Sequence, residues 1–301
     1  MFQFFANIFG YVLNFIYQFV NNYGLAIILF TLLIKLLMLP LSIKQQKMMK
    51  KSAKLQEKMQ VLQFKYKNDP EKLNQEMMNL YKEENMSPFS GCLSTILQFV
   101  LLISIFYMVR CPLTYMKKMD TNSINTYVEQ LKQGDKLVSS AYPEIDLIRE
   151  IDYLKEKNPE DSNVENLAIN MNFLGLDLNK IPQQNLGDWT VYIIPVLYIL
   201  STFLSMKMTA SMQEKKKKKD VIDVTEDSKS DKKEDSKALV EKEEEEYDPM
   251  AQTNKMMSWM MPIMSVSISL VAPLGLALYW LINNIVMMLE RIILNKVIKD
   301  D

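Results

Sequence analysis

The 301-residue chain contains no histidine. That excludes catalysis by an imidazole and removes the commonest metal ligand. Cysteine occurs twice, as Cys92 and Cys111. Two isolated cysteines argue against a zinc or haem site, and Cys92 lies in an apolar run, which argues against a disulfide between them. Glycine totals only 7, and no Gly-rich phosphate loop is present. The formal net charge of −1 implies no general affinity for polyanions, so no sequence-specific nucleic-acid partner is expected. No metal and no cofactor are expected. Charge is also absent from residues 1–34, and the first charged residue, Lys35, falls inside an apolar run.

What is present explains that run. Hydrophobic residues make up 49% of the chain, divided between long apolar stretches and highly charged loops. Residues 24–43 form a 20-residue stretch with Lys35 as its only charge, long enough to cross the ~30 Å hydrocarbon core of a bilayer. A lysine there costs ~2.5–3.5 kcal/mol on insertion scales, so it should face protein or water rather than lipid. Further spans are read at 89–109, at 189–206 with Trp189 and Tyr192 as interfacial anchors, and in the apolar stretch from 256 onward. That last stretch holds a turn signal, Ala272-Pro273-Leu274-Gly275, and divides into two short spans, 256–272 and 274–294. Short spans imply local thinning of the bilayer. The expected fold is therefore an all-α membrane protein with five transmembrane helices.

Residues 1–21 lack the basic n-region of a signal peptide. They read as an amphipathic helix, with Phe2, Phe5, Phe9, Val12, Ile16 and Phe19 on one stripe. Gln3, Asn7, Asn14, Gln18 and Asn21 form the other, and such a helix would lie in the outer membrane interface.

Segment 44–87 carries ten lysines against six acids, while 110–188 carries nine basic against thirteen acidic residues. Lys207 and Lys215–Lys219 follow the third span directly. The positive-inside rule then places 44–87, 207–255 and the tail 295–301 in the cytoplasm, with the N-terminus and 110–188 outside. Within 44–87, Met48, Leu55, Met59, Leu62 and Tyr66 recur at helical spacing, as do Leu73, Met77 and Leu80. Asp69, Pro70 and Glu71 supply an N-cap, a first helical position and a first-turn acid. A cytoplasmic helical hairpin follows. Segment 207–255 is rich in Lys and Glu and too poor in apolar residues to fold, so it reads as a largely disordered linker.

Lys35 has no acid within a span core to pair with, since Glu290 is placed near the cytoplasmic end. It therefore reads as a cation lining a water-filled groove. Gln98, Ser205, Tyr279, Trp280, Asn283 and Asn284 are further polar candidates for that groove, although each alone also fits helix-packing glue. Methionines Met206, Met208, Met212, Met256, Met257, Met260, Met261 and Met264 cluster at the cytoplasmic ends of the third and fourth spans. Their soft side chains suit either varied apolar partners or ordinary core filling.

Several motifs resemble the YidC/Oxa/Alb membrane protein insertases. In the first span these are Asn22-Tyr23-Gly24-Leu25-Ala26-Ile27-Ile28, Leu39-Pro40-Leu41 and Lys44-Gln45. In the hairpin they are Lys65-Tyr66, Asp69-Pro70, Leu73-Asn74-Gln75-Glu76-Met77-Met78 and Leu80-Tyr81. Asn85-Met86-Ser87-Pro88-Phe89-Ser90-Gly91-Cys92-Leu93 with Gln98, and then Phe173-Leu174-Gly175-Leu176-Asp177-Leu178, continue the match. Met261-Pro262-Ile263-Met264 and Pro273-Leu274-Gly275-Leu276-Ala277-Leu278-Tyr279-Trp280 complete it. Length and the lack of a large outer domain look most like the Gram-positive bacterial type.

The resemblance implies a five-span bundle in a bacterial plasma membrane, with a hydrophilic groove open to cytoplasm and lipid. It places Lys35 where the family usually carries Arg, and Ser205 where relatives often carry Gln. It implies an insertase and chaperone rather than an enzyme. The expected partners are nascent membrane proteins and the lipid bilayer, with the ribosome and the Sec translocon as further candidates. Lys58, Lys65, Tyr66, Asp69 and Pro70 are the hairpin positions expected to make cytoplasmic contacts. The alternatives are a small-solute or ion transporter using Lys35 as its binding cation, and a scaffold or developmental paralogue for a membrane complex.

Overall fold

The computed structural model describes residues 1–66, 69–84, 90–208 and 266–297. The linker expected at 207–255 and the span expected at 256–272 therefore lie largely outside the described residues, as do six of the eight clustered methionines. The chain divides into two compact units, Met1–Phe173 with Leu289–Asp301, and Leu174–Met288.

In the first unit, α1 (Phe2–Val20) ends at Asn21, whose φ of 46° is the left-handed cap that Asn tolerates. Asn22 then caps α2 (Tyr23–Lys65), its Oδ1 accepting from Leu25 N at 3.0 Å. The turn is clamped from outside. Asn170 N donates to Tyr17 Oη at 2.8 Å, Tyr23 N donates to Asn170 O at 2.9 Å, and Asn22 Nδ2 donates to Asn172 O at 2.7 Å.

Helix α1 buries Ala6, Phe9, Gly10, Leu13 and Tyr17, packing along α4 (Ser90–Arg110) and against α2. This buried face shares only Phe9 with the aromatic stripe read from the sequence; Phe2 and Phe19 are exposed. The reason is steric. Ala6 and Gly10 are buried one turn apart, and Gly10 lets backbones approach: a Cβ there would sit 1.9 Å from the Tyr115 carbonyl oxygen. The exposed face is apolar too, carrying Phe4, Ile8, Tyr11, Phe15 and Phe19. Lys118 holds the helix from one side, donating to Asn7 O at 3.1 Å and Asn7 Oδ1 at 2.9 Å.

Helix α2 runs 43 residues without a break, through Pro40. At 1.5 Å per residue that is about 65 Å, so one helix supplies both a membrane-length apolar stretch and the arm beyond it. Helix α3 (Pro70–Glu83) returns alongside that arm. Asp69 caps it by accepting from Lys72 N at 3.1 Å, and Pro70 stands at its first turn. Lys58 pairs with Glu84, and Tyr81 Oη lies 3.6 Å from Met59 Sδ, so the two helices run antiparallel. A cleft of about 270 Å³ between them is lined by Val61, Leu62 and Leu80 with Lys58, Glu76 and Glu83.

After α4 the chain folds into a cluster of short helices: α5 (Pro112–Tyr115), α6 (Thr121–Gln133), α7 (Pro143–Arg149), α8 (Ile151–Lys157) and α9 (Ser162–Asn166). Their core includes Leu113, Leu131, Leu147, Leu154 and Leu167, each fully buried. Glu144 is buried within it. Its carboxylate accepts from Leu113 N at 2.7 Å, Thr114 N at 3.0 Å and Thr114 Oγ1 at 2.6 Å, which satisfies the free donors at the start of α5. Burial nevertheless pushes the Glu144 carboxyl above its ordinary range. Burial and the Glu144 charge together push the Cys111 thiol up to about 12, so this free cysteine is a poor nucleophile at neutral pH.

In the second unit, Asp188 caps α10 (Trp189–Met208), accepting from Thr190 N at 3.0 Å and from Lys180 Nζ at 2.7 Å. Those bonds hold its carboxyl down at about 2. Helix α11 (Leu274–Val297) begins after the break at 272–273. Its first free N–H groups are taken up by backbone, Leu274 N donating to Lys180 O and Gly275 N to Leu178 O.

Among the described residues three helical stretches are long and apolar enough to cross a membrane: Tyr23–Met48, Trp189–Met208 and Leu274–Val297. Ile96–Arg110, within α4, is a shorter apolar helix.

Candidate functional site

Lys35 sits twelve residues into α2, among exposed leucines that include Leu32, Leu33, Leu36 and Leu37. One turn earlier the buried Thr31 donates its hydroxyl to Ile27 O at 2.7 Å, so it asks nothing of its surroundings. Lys35 is different. Its side chain is 17% exposed, and Nζ lies 3.8 Å from Glu290 Oε2 on α11. Glu290 is itself 12% exposed, and its Oε1 is buried with no hydrogen-bond partner among the described residues.

The unpaired cation expected from the sequence is therefore corrected to an ion pair. Helix α11 continues past Glu290 to Val297. The same stretch is anchored by Gln46 Nε2, which donates to Asn295 Oδ1 at 2.5 Å. Glu290 is thus the partner of Lys35 that the sequence reading set aside, having placed it near the cytoplasmic end of its span. The available signal was that Glu290 and Arg291 are the first charges after Lys255, within a run as apolar as any span.

The remaining groove candidates divide. Gln98 is exposed on α4 in the first unit. In the second unit Asn284 is buried, and its Nδ2 donates to Ser201 Oγ at 3.0 Å and to Thr202 Oγ1 at 3.2 Å. Both hydroxyls in turn donate to Tyr198 O. That ladder joins α10 to α11 and satisfies the amide away from water. Trp280 packs on Tyr198 with ring centroids 6.0 Å apart. Ser205 and Tyr279 are buried and Asn283 is half-buried. The structure thus brings Asn284, Ser201 and Thr202 together and sets Lys35 with Glu290.

At the hairpin, Lys65 and Lys72 lie over the Tyr66 ring, 5.2 and 5.4 Å from its centroid. Lys58 is engaged by Glu84, and Asp69 and Pro70 are spent on starting α3. Among the described residues no cluster of three or more His, Cys, Asp or Glu is placed to hold a metal ion.

Long apolar helices, a charge pair within them and a folded arm beyond them define a multi-pass helical membrane protein. The sequence model of the 60Kd inner membrane protein family matches residues 15–301, and the chain belongs to that family. Its relatives include the membrane protein insertase YidC of Chlorobaculum parvum, 28% identical over 293 residues, which cover 96% of this chain and 36% of that protein. The membrane protein insertase YidC of Caldanaerobacter subterraneus subsp. tengcongensis is 46% identical over 101 residues, 34% of this chain and 49% of the relative. That of Francisella tularensis subsp. novicida is 45% identical over 109 residues, 36% of this chain and 20% of the relative. The matched regions span between about a fifth and about a half of those relatives' lengths.

Proposed function

We propose that the chain is a membrane protein insertase and chaperone, which takes polar segments of nascent membrane proteins across part of the bilayer and releases their apolar segments to lipid. The observation that carries this reading is Lys35, a charge held mostly out of water in the first membrane-length helix of a chain whose relatives are named insertases. A fixed cation in a groove shortens the uncharged path that an acidic client segment must cross. The client's apolar segment then leaves for lipid, where burial is favourable. No bond is made or broken.

The finer architecture belongs to the same proposal. Five spans lie at 24–43, 89–109, 189–206, 256–272 and 274–294. The groove is lined by Lys35, Gln98, Ser205, Tyr279, Trp280, Asn283 and Asn284. The hairpin formed by α2 and α3 stands in the cytoplasm, and Lys58, Lys65, Tyr66, Asp69 and Pro70 shape the end that meets the client or its delivery machinery. The ribosome and the Sec translocon are candidates for that machinery. The N-terminus lies outside and the C-terminus inside.

The test is insertion of a small single-span client into membranes depleted of other insertases. Wild type is compared with Lys35→Arg, Lys35→Ala and Lys35→Glu at matched expression. Arginine should keep activity, while alanine and glutamate should lose it. Equal insertion by all four would show that groove charge does not drive the step.

A further inference from the structure

A groove cation can meet a client carboxylate only to the extent that nothing already holds it. Glu290 already holds Lys35, but loosely. At 3.8 Å the Nζ–Oε2 contact is longer than the ~2.7–2.9 Å of a charge-assisted hydrogen bond. The pair therefore has Coulomb attraction without a hydrogen bond. Glu290 Oε1 is buried and unpartnered among the described residues, which adds a desolvation cost to the resting arrangement. Lysine contributes as well. It is a point charge on a flexible stem, whereas a guanidinium would grip both carboxylate oxygens at once. A loosely held, incompletely satisfied pair is suited to exchange.

We propose that Glu290 is the resting counter-ion of Lys35 and a specificity-determining residue: a client enters the groove by offering Lys35 an acidic group that replaces Glu290. This rests on the insertase reading above. The exchange is balanced in charge, since one carboxylate succeeds another at Nζ. It frees Glu290, whose unpartnered oxygen then accepts from a donor on the same client segment, such as a backbone amide, a hydroxyl or an ammonium. The client class that fits is an outer segment with a carboxylate close to a hydrogen-bond donor. A segment of the same length without acid cannot displace Glu290 and meets a Lys35 that is already paired.

The experiment uses the full-length protein in insertase-depleted membranes, with two single-span clients that differ only by Asp→Asn in the outer segment. The readout is the ratio of acidic to neutral client inserted. Glu290→Gln keeps the side-chain volume and releases Lys35, so the ratio should rise about threefold or more, the scale of removing a modest competing ion pair. Glu290→Asp should restore the wild-type ratio. The charge-reversed double variant Lys35→Glu/Glu290→Lys keeps a pair and should shift preference toward a client with a basic outer segment; it also decides the matter should Glu290→Gln fail to fold. An unchanged ratio in Glu290→Gln, or no shift in the reversed pair, with wild type active, overturns the counter-ion role alone. Wild type inserting neither client overturns the insertase reading, and the counter-ion role falls with it.

Discussion

Glu144 is the residue whose energetics can be followed furthest. It accepts three hydrogen bonds at the start of α5, each favouring the carboxylate, yet burial outweighs them and its pKa stands above the ordinary 4.5. The sign follows. A carboxyl whose folded pKa is raised favours the folded state most when protonated, so its contribution is full below the unfolded value of 4.5 and is lost as pH rises from there through the folded pKa. Glu144→Gln is neutral at every pH and cannot carry that dependence. The difference in thermal stability between wild type and Glu144→Gln should therefore move against wild type as pH is raised from below 4.5 toward neutrality, with contributions from other groups cancelling in the difference. A difference that is flat with pH would mean the hydrogen bonds fully offset burial. Lys35 and Glu290 illustrate what one sequence reveals at this scale. The lysine was legible because 34 uncharged residues precede it, and a buried cation needs an explanation. Its partner was not, because the two are 255 positions apart and nothing local in a sequence encodes which helices meet.

Among elements, α1 separates hydrophobicity from packing. Its helical period was readable. The buried face was not, because apolar residues cover most of the helix circumference and the aromatic ones dominate any hydrophobic count. What selects the packed face is the absence of a side chain at Gly10, which lets the helix approach α5 to contact distance. This gives an opposed pair of substitutions. Alanine at an interior helix position such as Gly10 gains ~1 kcal/mol over glycine in propensity, a gain not available at Gly134, the C-cap of α6, but overpacking costs ~1–3 kcal/mol. At Gly10 the new methyl meets rigid backbone, Tyr115 O at 1.9 Å and Tyr115 C at 2.4 Å, so the steric cost should win. At Gly134 it meets the Tyr153 hydroxyl at 2.0 Å, the far end of a side chain that can swing. Gly10→Ala should lower the unfolding temperature in detergent and speed hydrogen exchange along α1, and Gly134→Ala should do markedly less. Equal effects would show that α1 is not held by this close approach.

For the whole molecule, orientation is decided by which charges count. The positive-inside rule weighs basic residues in short loops near span ends, whereas long segments cross largely regardless of charge. Segment 44–87 is short, and its lysines begin at Lys44, directly after an apolar run, so its ten lysines carry the argument. Segment 110–188 is long, and its excess of acids adds little. The structure adds a physical reason for the long segment to behave as one body: helices α5 to α9 share a core and a buried carboxylate that ties α5 to α7. The expectation is that the α2–α3 arm stays on the side of synthesis while α5–α9 are delivered to the far side. A cysteine-free background, Cys92→Ala/Cys111→Ala, makes this measurable with a membrane-impermeant maleimide. Lys155→Cys, exposed on α8, should label in intact cells. Asn74→Cys, exposed on α3, should label only after the membrane is opened. Labelling of both from outside would overturn the orientation that the lysines after the first apolar run predict.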